Sequence, residues 1–290
     1  MTPALLVIGE SGQLARALAA VPTPGFAPVF AGRRTFDLGT ADPAPLLDQH
    51  RPAAVINASA YSGVDKAESE PELAFAVNRD GVGRLARACA GRAIPLVHVS
   101  TDYVFDGRKG APYVEGDPVN PINVYGRSKA EGEAQVAAAG GRSSTLRTTW
   151  LFGDQGSSFV LMMLKLARER DHLRMVADQL GRPTWSLELA ALCVETARRL
   201  ADRDAAAEGL FHASGFEDAT RADMADVIFG EMRRRGLKVP DTERVGMAEF
   251  PAPAPRPPDS RLDPSLARAR LGWSPRPWRE TVAEVTASLL

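Results

Sequence analysis

Short apolar runs alternate with longer segments of helical composition through the first half of the chain. Five of these runs are strand candidates: Ala4-Ile8, Ala27-Ala31, Ala53-Ala58, Ile94-Ser100 and Ser144-Thr148. Of the segments between them, Glu70-Arg92 reads as one long helix with Pro71 in its first turn, and Val124-Ala139 reads as another. This alternation predicts a doubly wound α/β fold, in which a parallel sheet carries helices on both faces.

The regularity weakens after Trp150, where shorter elements follow one another. The candidates are a helix at Ser158-Arg170, a strand at Leu173-Val176, a helix at Leu187-Ala201, a strand at Leu210-Ala213 and a helix at Arg221-Arg235. We therefore expect one domain over residues 1–150 and a smaller C-terminal α/β lobe over residues 151–290, with some later segments packing back on the first domain. Phe250-Pro258 is proline-rich and predicts an extended segment, either a surface connector or a functional one.

Composition changes this picture in only a few respects. The chain has 35 Lys and Arg against 36 Asp and Glu, a formal net charge of -1, so it favours neither nucleic acid nor a membrane as partner. The apolar run Ala4-Ile8 is too short for a signal segment or a membrane span. Cys89 and Cys193 lie in apolar stretches without a CxxC spacing, which suits reduced thiols. We expect a cytoplasmic protein and assign no metal site.

A glycine turn follows the first predicted strand and opens a helix. The turn contains Gly9, Gly12, Gln13 and Leu14. Gly12 would let a pyrophosphate approach the backbone N–H groups at the start of the helix. Ala15 stands where the third glycine of the dinucleotide fingerprint falls, a position at which Ala is tolerated. A plain strand-to-helix turn is the alternative, but a position at the start of a βαβ pattern favours a Rossmann-type cofactor domain.

Two arginines mark the end of the second predicted strand. Arg33 and Arg34 stand where an acidic residue would hold the adenosine ribose 2′-hydroxyl of NAD. Two guanidinium groups fit a 2′-phosphate instead, so we predict that NADPH is preferred over NADH. A solvated arginine pair at a strand end is the alternative interpretation.

A tyrosine and a lysine four residues apart, Tyr125 and Lys129, would share one face of a helix. A nearby ammonium that stabilises the phenolate would make Tyr125 a better proton donor and acceptor at neutral pH. Thr101 and Asp102 follow the fourth predicted strand, where the carboxyl end of a parallel strand delivers residues to a ligand crevice. The alternative for Thr101 and Asp102 is an ordinary strand-end turn.

At this point the chain resembles the dTDP-4-dehydrorhamnose reductases, a branch of the extended short-chain dehydrogenase/reductases. The resemblance runs through Gly9-Leu14, Asn57-Tyr61, Val64-Glu68, Ser100-Gly107, Asn123-Lys129, Arg147-Trp150, Asp178-Thr184, Gly209-His212 and Arg256-Pro257, in that order. It implies that NADPH or NADH reduces the C4 ketone of a dTDP-linked 6-deoxy-4-hexulose to give dTDP-L-rhamnose. It leaves a homodimer open. Trp185 departs from the family pattern, which has a smaller residue there, and could reshape the substrate pocket.

The resemblance also implies a set of site residues. They are the catalytic residues Thr101, Tyr125 and Lys129; the phosphate turn of Gly12, Gln13 and Leu14; the adenine contacts Asp37 and Leu38; the nicotinamide contacts Ser59, Ala60, Tyr61, Tyr125 and Lys129; and the sugar-nucleotide contacts Val64, Thr101, Asp102, Tyr125 and Trp150. In this scheme Trp150 supplies an aromatic face to the ligand. The alternative for a lone tryptophan is a position in the core.

Three other functions are compatible with the same fold. A sugar-nucleotide dehydratase or epimerase needs further acid and base residues, and dehydratases place Asp-Glu after the threonine, whereas here Asp102 is followed by Tyr103. A non-catalytic NADP-binding regulatory subunit would keep the fold, but the intact Thr101, Tyr125 and Lys129 disfavour it. A reductase of another nucleotide-linked 4-ketosugar, or one with opposite stereochemistry at C4, stays open.

Overall fold

The computed structural model describes residues 2–290, and its strands fall into one large sheet and two small ones. The strands are β1 Ala4–Ile8, β2 Ala27–Ala31, β3 Ala54–Asn57, β4 Leu96–Thr101, β5 Ser143–Thr148, β6 Leu151–Phe152, β7 His172–Val176, β8 Thr184–Trp185, β9 Gly209–His212 and β10 Asp241–Val245. The helices are α1 Gln13–Ala20, α2 Ala44–His50, α3 Val64–Ser69, α4 Pro71–Phe75, α5 Val82–Ala90, α6 Val124–Ala138, α7 Phe159–Glu169, α8 Ser186–Ala201, α9 Arg221–Arg234, α10 Ser265–Leu271 and α11 Trp278–Leu289.

The large sheet has six parallel strands in the order β2-β1-β3-β4-β5-β9. The chain runs outward from β1 to β2 and then continues on the other side of β1 through β3, β4 and β5. The sheet order therefore reverses beside β1, and in doubly wound sheets a ligand crevice lies outside the carboxyl ends of the strands at that point. The predicted Rossmann-type fold is confirmed.

The segment predicted as one long helix is helical but not uniform. Helix α4 begins at Pro71 and α5 ends at Ala90, and between them Ala76–Gly81 is π-helical. A side chain at Gly81 would collide with the Leu38 carbonyl, so a glycine is required where this helix crosses the loop after β2. The prediction of a single α-helix was wrong in this stretch. A π-helical turn contains one residue more than an α-helical turn, and the spacing of hydrophobic residues in the sequence does not reveal it.

Two later segments pack with the main sheet rather than in a separate lobe: one is a strand of the sheet and the other is a helix on its face. Strand β9 is its sixth strand, with Leu146 beside Phe211 in the register with β5. Helix α8 packs against α1, and its Leu189 and Cys193 share one hydrophobic core with Leu5. The core of the first domain is therefore completed by residues that come after position 150.

The remaining later elements form a second core beside the sheet. Strands β7 and β10 pair in parallel, and α7, α9 and α11 pack around buried Phe152, Phe229 and Trp278. The proline-rich segment is irregular, as predicted, and crosses back to the first half of the chain: the Asn123 side chain donates to the Pro255 carbonyl at 2.9 Å. In the part of the chain that the structure describes, no helix has both the length and the apolar character needed to cross a membrane.

Candidate active site

The carboxyl end of β4 and the start of α6 bring the three predicted catalytic residues together. Thr101 is the last residue of β4. Asn123 caps α6 by accepting the Gly126 N–H at 2.7 Å, which places Tyr125 in the first turn of the helix and Lys129 one turn later. A side chain at Gly126 would collide with the Tyr103 carbonyl, so the glycine allows α6 to approach the segment that follows Thr101.

Lys129 is buried with its ammonium against the central sheet. Its side chain is 2% exposed, and Nζ donates to the Val99 carbonyl at 2.7 Å. Burial lowers the pKa of Lys129 to about 8, against the opposing charge of Glu133. The lysine is thus held at a fixed place beneath the first turn of α6, and its protonation is sensitive to small changes in its surroundings.

Tyr125 is set up as an acid in a way that differs from the prediction. Burial raises the pKa of its phenol, and a hydrogen bond with Thr101 opposes this increase. Lys129 is not among the groups that shift the pKa of Tyr125, and its ammonium donates to the Val99 carbonyl. Tyr103 packs edge to face against Tyr125 with the ring centroids 5.6 Å apart. The phenol therefore stays protonated at neutral pH and can donate a proton.

A buried carboxylate orients the Thr101 hydroxyl. Thr101 Oγ1 donates to Asp102 Oδ1 at 3.0 Å, and Thr149 Oγ1 donates to Asp102 Oδ2 at 2.7 Å. Burial raises the pKa of Asp102, while hydrogen bonds with Ser260, Thr149 and Thr101 counteract this increase. Sequence reasoning missed Thr149; its signal is its position directly after β5, beside the end of β4 in the sheet.

The glycine turn has the form of a dinucleotide-binding site. Gly9 has φ +124°, which L side chains rarely adopt, and a Cβ there would lie 3.3 Å from the Ala58 carbonyl carbon after β3. Gly12 precedes α1 in extended backbone with open space around it and no side chain capping the helix. The N–H groups of the first turn of α1 are therefore available to a pyrophosphate, and the residues present fit NADP or NAD there.

Gln13 and Leu14 have different surroundings within this turn. Leu14 is buried in the core of the sheet. Gln13 Nε2 donates to the Ser157 carbonyl at 2.6 Å, so the loop between β6 and α7 borders the start of α1. A Cβ at Gly156 in this loop would lie 3.2 Å from the Gln13 backbone nitrogen. Sequence reasoning did not assign this loop to the site.

The predicted adenine end lies on the turn after β2. Arg33 and Arg34 are exposed, and Arg33 Nε forms an ion pair with Asp37 Oδ2 at 3.2 Å. Leu38 is buried, and its carbonyl accepts a hydrogen bond from Arg84 at 2.9 Å. Of these two exposed arginines, Arg34 has no ion-pair partner among residues 2–290.

Two buried asparagines form hydrogen bonds with the predicted nicotinamide turn, which contains Ser59, Ala60 and Tyr61. The Ser59 N–H donates to Asn57 Oδ1 at 3.1 Å, and the Tyr61 N–H donates to Asn78 Oδ1 at 2.9 Å. Ala60 is exposed. Asn78 also donates to the Tyr61 carbonyl and to Ser128 on α6, each at 3.0 Å. Asn78, which lies in the π-helical segment, was missed because nothing in its local sequence signals these distant partners.

The other predicted sugar-nucleotide contacts are Val64 and Trp150. Val64 is the half-buried first residue of α3. Trp150 is 7% exposed and has φ +47°, and Arg221 stacks on its ring. Its indole is thus covered rather than presented as an open face. Trp185 is half-buried, and Arg276 lies over its ring, 5.0 Å from the centroid. Nowhere in residues 2–290 do three or more His, Cys, Asp or Glu side chains form a group that could hold a metal ion.

Comparison with known proteins finds several dTDP-4-dehydrorhamnose reductases that are similar to this chain. A dTDP-4-dehydrorhamnose reductase from Sinorhizobium fredii is 43% identical over 291 aligned positions, which cover 99% of this chain and 97% of that protein. One from Aggregatibacter actinomycetemcomitans is 36% identical over 98% of each chain. The crystal structure of a dTDP-4-dehydrorhamnose reductase from Bacillus anthracis in complex with NADP is similar with a TM-score of 0.89 and 29% identity, covering 99% of this chain and 100% of that one.

These similarities confirm the predicted resemblance, and they extend over nearly the whole of each protein. The family match itself spans residues 3–290. The chain belongs to the family described as the RmlD substrate binding domain.

Proposed function

We propose that this protein is an NADPH-dependent reductase that converts the C4 ketone of dTDP-6-deoxy-L-lyxo-4-hexulose to the hydroxyl of dTDP-L-rhamnose. The observation that carries the proposal is the meeting of Thr101, Tyr125 and Lys129 at the carboxyl end of β4. The names of the relatives supply the substrate, and the NADP bound to the related Bacillus anthracis structure supports the cofactor. The first domain would bind the cofactor, and later segments would contribute to the sugar-nucleotide site.

Tyr125 would serve as the proton donor. Its phenol is protonated at neutral pH because burial raises its pKa, and this is the form needed to protonate a ketone oxygen as negative charge develops there. A bound nicotinamide would supply the hydride to C4. Thr101 would hold the phenol in place through its side-chain hydrogen bond with Tyr125, which lowers the pKa of the phenol against the effect of burial.

Lys129 would hold the cofactor and replenish the proton. Its pKa of about 8 leaves the ammonium charged in most molecules at neutral pH, and an ammonium has three N–H groups, of which one is donated to Val99. The others are available to a ribose hydroxyl. Gly12 and Gln13 would hold the pyrophosphate through the N–H groups at the start of α1, and the turn from Ser59 to Tyr61 would border the nicotinamide.

The two arginines after β2 support the preference for NADPH. Arg33 is paired with Asp37, while Arg34 is exposed, so a 2′-phosphate would meet at least one uncompensated guanidinium at this turn. A charge-assisted hydrogen bond to phosphate is stronger than a neutral one, and NADH lacks the phosphate. We therefore expect NADPH to have the lower KM.

We further propose that the protein works in the cytoplasm and that a homodimer is its simplest assembly. The support for the cytoplasm is the pair of free, buried cysteines, Cys89 and Cys193, whose pKa burial raises to about 12 in each case. Such thiols do not react readily and suit a reducing compartment. Sedimentation velocity of the purified protein tests the homodimer.

The decisive experiment mixes the purified protein with dTDP-6-deoxy-L-lyxo-4-hexulose and NADPH or NADH, follows cofactor oxidation by absorbance, and determines the C4 configuration of the product by NMR. Oxidation with a rhamnose product supports the proposal. Tyr125→Phe should lower kcat by about 100-fold or more without weakening NADPH binding. Tyr113→Phe is the matched control, because the Tyr113 hydroxyl bonds Asp106 outside the site. Binding of NADPH without turnover of this or another 4-ketosugar would instead identify a regulatory subunit.

A further inference from the structure

One cation beside the candidate active site has no counter-ion. Arg221 is the first residue of α9, and its guanidinium carbon lies 3.7 Å from the ring centroid of Trp150 and 5.1 Å from that of Phe159. Among residues 2–290, no carboxylate lies within ion-pair distance of it, and it donates no hydrogen bond. Neighbouring arginines differ: Arg256 pairs with Asp65 at 2.8 Å, and Arg261 with Asp218 at 2.6 Å.

The charge of Arg221 is only partly accessible to solvent. Burial lowers the pKa of Arg221 to about 10, and the nearby charge of Arg256 lowers it further, against Tyr103 and Asp102. The guanidinium still carries its charge at neutral pH. A half-buried cation without a partner is unfavourable in the free protein, and a bound anion would relieve that cost.

The tryptophan beneath this guanidinium is held in place and has an unmatched donor of its own. A side chain at Gly181 would collide with the indole of Trp150, so the ring lies directly on backbone there. Trp150 Nε1 is buried and has no hydrogen-bond partner in the described chain. Arg221 and Trp150 are thus adjacent, with the guanidinium over the indole and the Gly181 backbone also against the ring.

The location connects this unmatched pair to the candidate catalytic residues. Trp150 follows Thr149, whose hydroxyl donates to Asp102, and Asp102 in turn accepts from Thr101. Trp150 is 7% exposed, and the Arg221 guanidinium lies over its ring. The role of Trp150 as an aromatic face for the ligand stays a prediction.

We propose that Arg221 binds the diphosphate of the nucleotide-linked sugar, with the guanidinium of Arg256 as a second positive charge nearby. The inference rests on the proposed function for the identity of the sugar nucleotide. A diphosphate carries several negative charges and acceptor oxygens, which a planar guanidinium binds through two parallel hydrogen bonds. Arg256 is held toward this region by Asp65 and by its own bond to the Ala254 carbonyl at 2.9 Å.

The test measures binding of dTDP and of thymidine by calorimetry, to protein saturated with NADP⁺. Arg221→Gln should weaken dTDP binding by about 10- to 100-fold, since a hydrogen-bonded charge pair is lost, and should leave thymidine and NADP⁺ binding unchanged. Arg221→Lys should lie between Arg221→Gln and the wild type. Arg279→Gln is the matched control: Arg279 also stacks on a tryptophan, Trp278, at 4.4 Å, but outside the site, and this variant should bind dTDP like the wild type.

Three results would overturn the inference. The first is dTDP binding to Arg221→Gln within twofold of the wild type. The second is an equal loss of thymidine affinity, which would assign Arg221 to the nucleoside. The third is a loss of NADP⁺ affinity, which would assign it to the cofactor phosphates. If Arg221→Gln does not fold, modification of the wild type by phenylglyoxal decides: dTDP should protect Arg221 in peptide mass spectrometry, and thymidine should not. Equal modification with either ligand contradicts the inference.

Turnover separates this inference from the proposed function. If the wild type reduces the dTDP-ketosugar and Arg221→Gln leaves both KM and dTDP affinity unchanged, the function stands and the diphosphate subsite is wrong. If the wild type does not reduce that sugar but binds dTDP in an Arg221-dependent way, the subsite stands and the proposed reaction is wrong. A raised KM with a nearly unchanged kcat is the kinetic result expected from a group that binds substrate and transition state equally.

Discussion

Replacing Thr149 by valine removes a single hydrogen bond from a buried carboxylate and changes the shape of the side chain very little. Thr149 and Asp102 are 1% and 2% exposed, and the hydroxyl donates to Asp102 Oδ2 at 2.7 Å. Valine has a methyl group in place of the hydroxyl. In the variant, Asp102 Oδ2 loses its donor and stays out of reach of water.

The expected loss follows from the charge of the acceptor. A hydrogen bond to a charged group contributes about 1.5 to 3 kcal/mol, so Thr149→Val should lower the free energy of unfolding by about 2 kcal/mol at neutral pH. The same 2 kcal/mol corresponds to an increase of about one and a half units in the pKa of Asp102, which burial already raises.

The sign of the pH dependence makes the test specific. The pKa of Asp102 is higher in the folded state than in the unfolded state. At a pH above the folded-state pKa, the carboxylate is charged and buried, which destabilises the protein. At low pH the carboxyl is protonated in both states, and this destabilisation is absent. The deficit of Thr149→Val relative to the wild type should therefore be largest near neutral pH and should shrink as the pH falls. Urea unfolding at several pH values, followed by circular dichroism, measures it.

Two controls frame the result. Thr149→Ser keeps the donor and should lose much less stability at neutral pH. Thr286→Val makes the same chemical change at a buried threonine whose hydroxyl bonds only the Val282 carbonyl within α11, so its effect should not vary with pH. If Thr149→Val behaves like Thr286→Val at every pH, the reasoning about the charged acceptor is refuted.

Three further predictions follow from other parts of the molecule. Replacing both Arg33 and Arg34 by glutamine should raise the KM for NADPH about tenfold in steady-state assays and leave that for NADH unchanged; equal changes for both cofactors would contradict the 2′-phosphate assignment. Burial lowers the pKa of His212 to about 3, so its neutral form is favoured in the folded state and stability should fall by about 2 to 3 kcal/mol as the pH drops from 6.5 to 4.5; urea unfolding of His212→Asn should show a weaker decline. Gly132→Ala should lower the melting temperature, because its Cβ would collide with a carbonyl of the π-helical segment, whereas Gly230→Ala, which points into open space in α9, should raise it slightly; a stable Gly132→Ala would show that α6 shifts freely.

Much of the fold could be predicted because its signals are local. The predicted strands Ala4-Ile8 and Ala27-Ala31 match β1 and β2 residue for residue, since each is a short apolar run bounded by turn residues. Helix α6 was predicted to within one residue. The place of β9 in the main sheet could not be predicted, because a strand of four residues carries no sign of which sheet it joins.

The site divides in the same way. The spacing of Tyr125 and Lys129 fixes one helical face, and the structure places both residues there. The spacing does not show that Lys129 donates to Val99, a contact that depends on how α6 lies across β4. Asn78 and Arg221 escaped prediction for the same reason: the partners that give them a role are distant in sequence, and an asparagine or arginine in a helix is most often a solvated residue.

The arrangement of the strand ends explains how the proposed proton donor, Tyr125, is connected to the proposed ligand-binding cation, Arg221. Neighbouring parallel strands β4 and β5 end side by side, with Thr101 beside Thr148 in the register, so the residues that follow each strand emerge at one edge. Asp102 therefore receives a hydroxyl from each strand end, and the chain after β5 leads directly to Trp150 under Arg221. A continuous set of contacts thus joins the phenol that would donate the proton to the cation that would hold the ligand. A sugar nucleotide anchored at that cation would have its sugar near the phenol, so affinity for the charged half of the substrate would position the neutral half for reduction.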